Sequence, residues 1–211
     1  MIKILIADDH AIVREGLKQI VAEESDMKVT GEAENAAELF TLLKKDNFSI
    51  VVLDINMPGK SGLEALKEIR ADYPGMPVLI LSMYGEDLYG LRSIKAGASG
   101  YLKKVSAPNE LVIAIRRIVN GGKYLSQSLV EKLAESFETN TKLLAHENLS
   151  DREYQVMCKI AQGRSAEEIA GELSVSVHTV YSYRNRILEK MKMKSNVEIT
   201  QYALQNRLIE L

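Results

Sequence analysis

Five times in the first 120 residues a short run of β-branched and aliphatic residues gives way to a helical pattern, and this alternation limits the possible folds more than any other feature. The runs are Ile2–Ala7, Lys28–Glu32, Ser49–Leu53, Val78–Leu81 and Gly100–Leu102. Each is followed by a helical stretch: Ala11–Glu24, Ala36–Lys45, Gly62–Ala71, Asp87–Ala96 and Pro108–Val119. In these stretches apolar residues stand three and four apart, as at Ile12, Leu17, Ile20 and Val21. A strand followed each time by a helix returns parallel to its neighbour, because parallel strands need a crossover and the crossover is right-handed. The pattern therefore predicts an α/β fold, a doubly wound five-stranded parallel sheet with helices on both faces. Such sheets bind ligands beyond the carboxyl ends of their strands.

The alternation stops at Asn120-Gly121-Gly122, a turn and helix-stop signal. One amphipathic helix is expected at Ser126–Phe137, followed by a polar stretch at 138–148, and from Leu149 the pattern is helical with no strand signal. The organisation expected is a first domain at 1–120, a linker with one helix at 121–148 and an all-α domain at 149–211. No apolar run approaches the roughly 18 residues of a membrane span, and the N-terminus lacks the pattern of a signal peptide. The single cysteine, Cys158, has no internal disulfide partner, which suits a reducing cytoplasm. A net charge of −2 argues against a protein that coats nucleic acid indiscriminately. Charge is locally uneven, however: within 177–194, Arg184, Arg186, Lys190, Lys192 and Lys194 face Glu189 alone. That pattern suggests a small, specific anionic contact.

Chemistry in the first domain concentrates at the strand ends. Asp8 and Asp9 end the first run and Asp54 ends the third. These strands are neighbours in a doubly wound sheet, so the three carboxylates converge and repel. A hard divalent cation with oxygen ligands relieves this, and Mg²⁺ suits an open site. Ser82 and Lys103 end the fourth and fifth runs at the same edge. A hydroxyl and an ammonium beside a metal-bound carboxylate form a receptor for a phosphoryl group. Gly59-Lys60-Ser61 is not a phosphate-binding loop, since the earlier glycine it needs falls on Asp54. An aspartate-based phosphatase would want a second acid where Asn56 stands. His10 is expected to cap or pack locally, histidine being a poor ligand for Mg²⁺.

The segments ILIADDH, VVLDINMPG, LILSMYGED and GASGYLKK resemble the receivers of two-component response regulators of the NarL/FixJ group, over residues 2–119. The resemblance implies a flavodoxin-like fold and phosphorylation of Asp54 by a sensor histidine kinase. It also implies Mg²⁺ held by Asp9, Asp54 and the carbonyl of Asn56, with Asp8 acting through water. Lys103 is expected to pair with the phosphoryl oxygen, Ser82 to bond it, and Tyr101 to be an aromatic switch following Ser82 inward. Many receivers have a proline after the lysine matched by Lys103, where this chain has Lys104, and a smaller residue than Met83 beside the hydroxyl.

In the second domain Ser150 and Glu153 make a capping-box start, Gly163 ends that helix, Ser165 opens the next, and Ser174-Val175-Ser176 turns into a longer helix from Val177. This is a helix-turn-helix arrangement. At 100° per residue Val180, Ile187 and Met191 share one face, while His178, Ser182, Asn185, Arg186 and Glu189 share the other, with Tyr181 at its shoulder. Asn can bond adenine and Arg guanine, so this face can read a major groove. Residues 149–207 resemble the LuxR-type DNA-binding domain, through Leu149, Glu153, Gly163, Ile169-Ala170, Thr179-Val180 and Ile187. The resemblance implies that Tyr181, Ser182 and Asn185 approach bases, with Arg186 beside them, and that Thr179 touches phosphate on double-stranded promoter DNA. It further implies that the helix at 197–207 pairs two protomers, through Val197, Thr200, Ala203 and Leu204. Arg184 falls inward and is expected to pair with a carboxylate such as Glu153. An interaction module binding protein through the same helices is the rival reading.

Overall fold

The computed structural model describes residues 1–138, 144–206 and 208–209. They fall into two compact units, Met1–Leu133 and Ala134–Leu211. Among the described residues no helix is long and apolar enough to cross a membrane.

The first unit is a five-stranded parallel sheet in the order β2-β1-β3-β4-β5. Its strands are β1 (Ile2–Ala7), β2 (Met27–Ala33), β3 (Ile50–Asp54), β4 (Val78–Ser82) and β5 (Gly100–Lys103). The helices are α1 (Ala11–Ala22), α2 (Ala36–Lys45), α3 (Gly62–Asp72), α4 (Glu86–Lys95) and α5 (Ala107–Val119). The order reverses at β1, so the crevice beside β1 and β3 is the place for a ligand. Register fixes which side chains meet. Ile6 lies opposite Val52, Asp54 opposite Leu81, and Leu81 opposite Leu102. Because side chains alternate with period two, Ile4, Ile6, Ile50, Val52, Leu79, Leu81 and Leu102 share one face. There they form a core with Leu17 and Val21 of α1 and Leu111, Ala114, Ile115 and Ile118 of α5.

Two local features hold this frame at the site. Ser61 caps α3 through a reciprocal bond set with Glu64. Gly62 then lies so close to β3 that a Cβ there would stand 1.9 Å from the carbonyl oxygen of Asp54, so only glycine lets α3 start at that point. After α5 the chain does not leave the sheet at once. Tyr124 forms a bridge with Gly100, accepting from the amide of Tyr101 (3.2 Å) and donating to Ser99 (3.0 Å). The helix expected at Ser126–Phe137 is α6 (Gln127–Glu138). Part of the expected polar linker, 139–143, lies outside the described residues.

The second unit contains α7 (Asp151–Ala161), α8 (Ala166–Leu173), α9 (Val177–Met191) and α10 (Asn196–Gln205). Serines 150, 165, 176 and 195 each accept from a backbone amide in the first turn of the helix they precede. Ser174 takes a left-handed conformation (φ 52°) between α8 and α9, making the turn sharp. Met157, Ile169, Leu173, Val180, Ile187, Met191, Ile199 and Ala203 are buried, so α9 keeps its expected apolar face inward. Residues read as linker from sequence also join this unit: Ala145–Asn148 form a short 3₁₀ turn, and His146 Nδ1 lies 2.9 Å from the Tyr202 hydroxyl.

Candidate functional site

At the carboxyl ends of β1 and β3, ligand atoms of Asp8, Asp9, His10 and Asp54 lie within 4.8 Å of one another. Asp8 and Asp54 are 1 % and 2 % exposed, and Asp9 is at the rim. Both buried acids continue the α1/α5 face of the sheet: Asp8 is two residues beyond Ile6, and Asp54 two beyond Val52. Their charge is met by Lys104, whose Nζ stands 2.6 Å from Asp8 Oδ2 and 3.0 Å from Asp54 Oδ2.

This corrects the lysine expected from sequence. Lys103 ends β5 opposite Ser82 and is exposed, with its stem against Gly85; it is not paired with the acids. The cause is pleat parity. Leu102 shares a face with Leu81 and Asp54, so the residue two further on, Lys104, returns to that face while Lys103 points to the opposite one. Lys104 is followed by Val105, so the proline comparison drawn at Lys103 belongs one position later.

Burial pushes the Asp54 carboxyl up to about 6, Lys104 pulling it down and Asp8 pushing it further up. Burial alone would lower the Lys104 ammonium, but Asp54 and Asp8 reverse this and hold it above its ordinary value. The backbone of Asn56 hydrogen-bonds the Asp54 carboxylate. Asp54 Oδ1 is buried with no hydrogen-bond partner among the described residues. A buried carboxylate oxygen without a donor, beside two further aspartates, gives three oxygen donors that fit a hard cation such as Mg²⁺, with His10 the one nitrogen in the cluster.

His10 stands at the N-cap of α1, its side chain making no capping bond. Its Nδ1 instead lies 3.2 Å from Asp8 Oδ1 and 2.8 Å from Asp9 Oδ1. Arg14, not singled out from sequence, is buried beneath the site, donating to the Asp8 carbonyl (2.7 Å) and Glu34 (2.5 Å). An arginine one turn into an otherwise apolar helix face was the available signal. Ser82 is fully buried, its Oγ accepting from the amide of Tyr84 at 3.1 Å. Tyr101 is 1 % exposed and lies inward, its hydroxyl donating to the carbonyl of Tyr84 at 2.9 Å. Met83 is exposed (63 %).

In the second unit the outer face of α9 carries His178, Tyr181, Asn185 and Arg186, all exposed. Thr179 and Ser182 are half-buried. The Thr179 hydroxyl meets Ser176 Oγ at 2.8 Å, and Ser182 donates to the carbonyl of His178. Two expectations need correction. Arg184 bonds Asn196 Oδ1 at 2.6 Å, not Glu153; Glu153 pairs instead with Lys190 at 2.6 Å. Ala203, expected between protomers, is fully buried beside Ile199 in its own unit. Val197 is 75 % exposed, Thr200 and Leu204 are half-buried, and Arg207, the expected end of that helix, lies outside the described residues.

Residues 4–116 match the response regulator receiver domain, and residues 147–203 match the luxR family of bacterial regulatory proteins. The chain is a NarL/FixJ-type response regulator. It is 34 % identical to the oxygen regulatory protein NreC of Staphylococcus epidermidis, over 99 % of both chains. To the response regulator GacA of Pseudomonas aeruginosa it is 33 % identical, over 100 % of this chain and 99 % of that one. The Salmonella typhimurium response regulator RcsB is similar in structure, with a TM-score of 0.57 at 25 % identity, covering 97 % of this chain and 98 % of that one. A response regulator of this class is a DNA-binding transcriptional regulator, not an enzyme acting on external substrates.

Proposed function

We propose that Asp54 is the phosphoacceptor, receiving its phosphoryl group from a sensor histidine kinase in the cytoplasm. The observation that carries this is the buried, unpartnered Oδ1 of Asp54 beside Asp8, Asp9 and Lys104. An Asp54 oxygen attacks phosphorus, the P–N bond of the phosphohistidine breaks, and the imidazole leaves with the electron pair and takes up a proton. Asp9, Asp54 and the Asn56 carbonyl would hold Mg²⁺, with Asp8 acting through water; when bound, the ion supplies positive charge to the transferring oxygens. Lys104 pairs with the new phosphoryl group, and Ser82 turns its hydroxyl toward it. Tyr101 occupies the inward position that such a movement of Ser82 favours.

In the second unit α9 enters the major groove, with Tyr181, Ser182, Asn185 and Arg186 toward bases and Thr179 toward phosphate. RcsB has been solved as two dimers bound to two parallel DNAs; by analogy this chain binds promoter DNA as a dimer, through the exposed side of α10 at Val197, Thr200 and Leu204. Acetyl phosphate with Mg²⁺ is expected to add one phosphoryl group to the wild-type chain, seen by intact mass, and none to Asp54→Asn. Uptake by the variant would overturn the assignment. Mobility shift with genomic fragments tests the output, and binding to none at moderate salt would favour a protein partner.

A further inference from the structure

The stretch after α5, read from sequence as the start of a linker, is built onto the receiver at three levels. Tyr124 is tied to Ser99 and Tyr101 by backbone bonds, and its hydroxyl donates to Glu110 at 2.6 Å. Ser126 caps the start of α6 on the Leu129 amide (3.1 Å) and bonds Glu86, the first residue of α4. Lys132, one turn on, pairs with Asp87. Between these polar contacts Leu129 is completely buried. It fits the notch at Gly90, where a Cβ would stand 3.0 Å from Leu129 Cδ1 and 3.2 Å from Cδ2. The Lys132–Asp87 pair is exposed and worth little; the buried leucine is the main attachment.

What α6 grips is the segment next to the phosphoacceptor site. Ser82 ends β4, Tyr84 and Gly85 offer the carbonyls held by the Tyr101 hydroxyl, and Glu86, Asp87 and Gly90 follow at once in α4 and hold α6. Only residues 83–85 join the end of β4 to the start of α4, and of these Met83 is exposed. We propose that α6 is a latch rather than a tether: its first two turns, Gln127–Leu133, dock on α4, and a change at Ser82 reaches the connector to the DNA-binding unit through residues 84–90. This deepens the reading of Asp54 as phosphoacceptor and rests on it for the signal, though not for the docking itself.

Amide hydrogen exchange on the full chain tests both parts. Leu129→Ala is expected to speed exchange at 127–133 by at least about tenfold while the strands keep their protection. Gly90→Ala, which leaves the leucine intact but crowds its notch, is expected to act in the same direction. Unchanged exchange at 127–133 in both variants would overturn the docking. With acetyl phosphate and Mg²⁺, exchange at 84–90 and at 127–133 is expected to change together in the wild type, by about threefold or more. A change confined to 84–90, in protein shown by mass to be phosphorylated, would overturn the relay. Absence of phosphate uptake would overturn the phosphoacceptor reading and the relay with it, while the Leu129→Ala comparison, which needs no phosphate, still decides the docking.

Discussion

Because Asp54 is buried beside Asp8, its folded pKa of about 6 lies above the ordinary 3.8, and ionising it opposes folding. The associated stability is present in full below pH 4, is lost as pH rises through about 6, and stays absent above. A rise from 3.8 to about 6 corresponds to at most about 3 kcal/mol. In metal-free buffer, Asp54→Asn is therefore expected to be more stable than wild type at pH 7.5, by about 1–3 kcal/mol in urea denaturation, with the gap closing near pH 4. A gap independent of pH would show that charge is not its origin. Millimolar Mg²⁺ is expected to raise the wild-type Tm and leave the variant's unchanged, by binding the folded state alone. The adjacent lysines give a second comparison. Lys104→Ala is expected to reduce phosphorylation by acetyl phosphate by about tenfold or more, whereas Lys103→Ala stays within about twofold; equal losses would refute the parity argument. The acids were legible in the sequence because strand ends and acidic residues can both be read there. The lysine was not, because two consecutive lysines differ only in which side of the sheet each faces. That side is set by the register of β5 on β4, which a single sequence does not display.

At the scale of elements, local patterns and packing demands agree almost everywhere. The central strands β3 and β4 are fully buried aliphatic runs, and serine caps announce α3 and the helices of the second unit, so order and type could be read directly. What escaped was the docking of Lys123–Leu133. The amphipathic helix from Ser126 was readable, but not what it packs on: one leucine, one tyrosine and a few hydrogen bonds secure the segment to β5 and α4, and none of these partners is near in sequence. The contact between α3 and β3 is another case of shape hidden from periodicity. A Cβ on Gly62 would lie 1.9 Å from the Asp54 carbonyl oxygen and 2.9 Å from the Ile55 Cα, and backbone atoms cannot yield as a side-chain tip can. Gly62→Ala must push α3 away from β3. It is expected to cost about 2 kcal/mol or more in urea denaturation and to slow phosphorylation of Asp54 as well. Gly16, with open space at its Cβ and a helical backbone, serves as control: Gly16→Ala is expected to be neutral or stabilising, by about 0.5–1 kcal/mol. Similar losses at both positions would mean that helix propensity, not close approach, governs Gly62.

For the molecule as a whole, the question is how one chain with few spare cations achieves specific binding to a polyanion. A single α9 offers a handful of polar side chains, and each good base contact discriminates by about 1–3 kcal/mol. Two copies on one site double that reading, provided something joins them at the spacing of one helical turn, about 10 base pairs, or a multiple of it. The candidate is α10. Its Ile199 and Ala203 are spent on the unit's own core, while Val197 stands 75 % exposed at the start of the helix, where a second copy could cover it. Substituting an exposed residue costs a folded domain within about 0.5 kcal/mol, but a carboxylate buried between protomers has no partner and is strongly disfavoured. Val197→Asp is therefore expected to keep the wild-type Tm and its affinity for a single half-site, while losing about tenfold or more in affinity for an inverted repeat. Fluorescence anisotropy with the two DNAs, at one fixed salt concentration, separates these outcomes. If Val197→Asp bound the inverted repeat as tightly as wild type, the two α9 helices would have to be joined elsewhere in the chain. If it lost the half-site equally, the substitution would be acting on the reading helix and not on pairing.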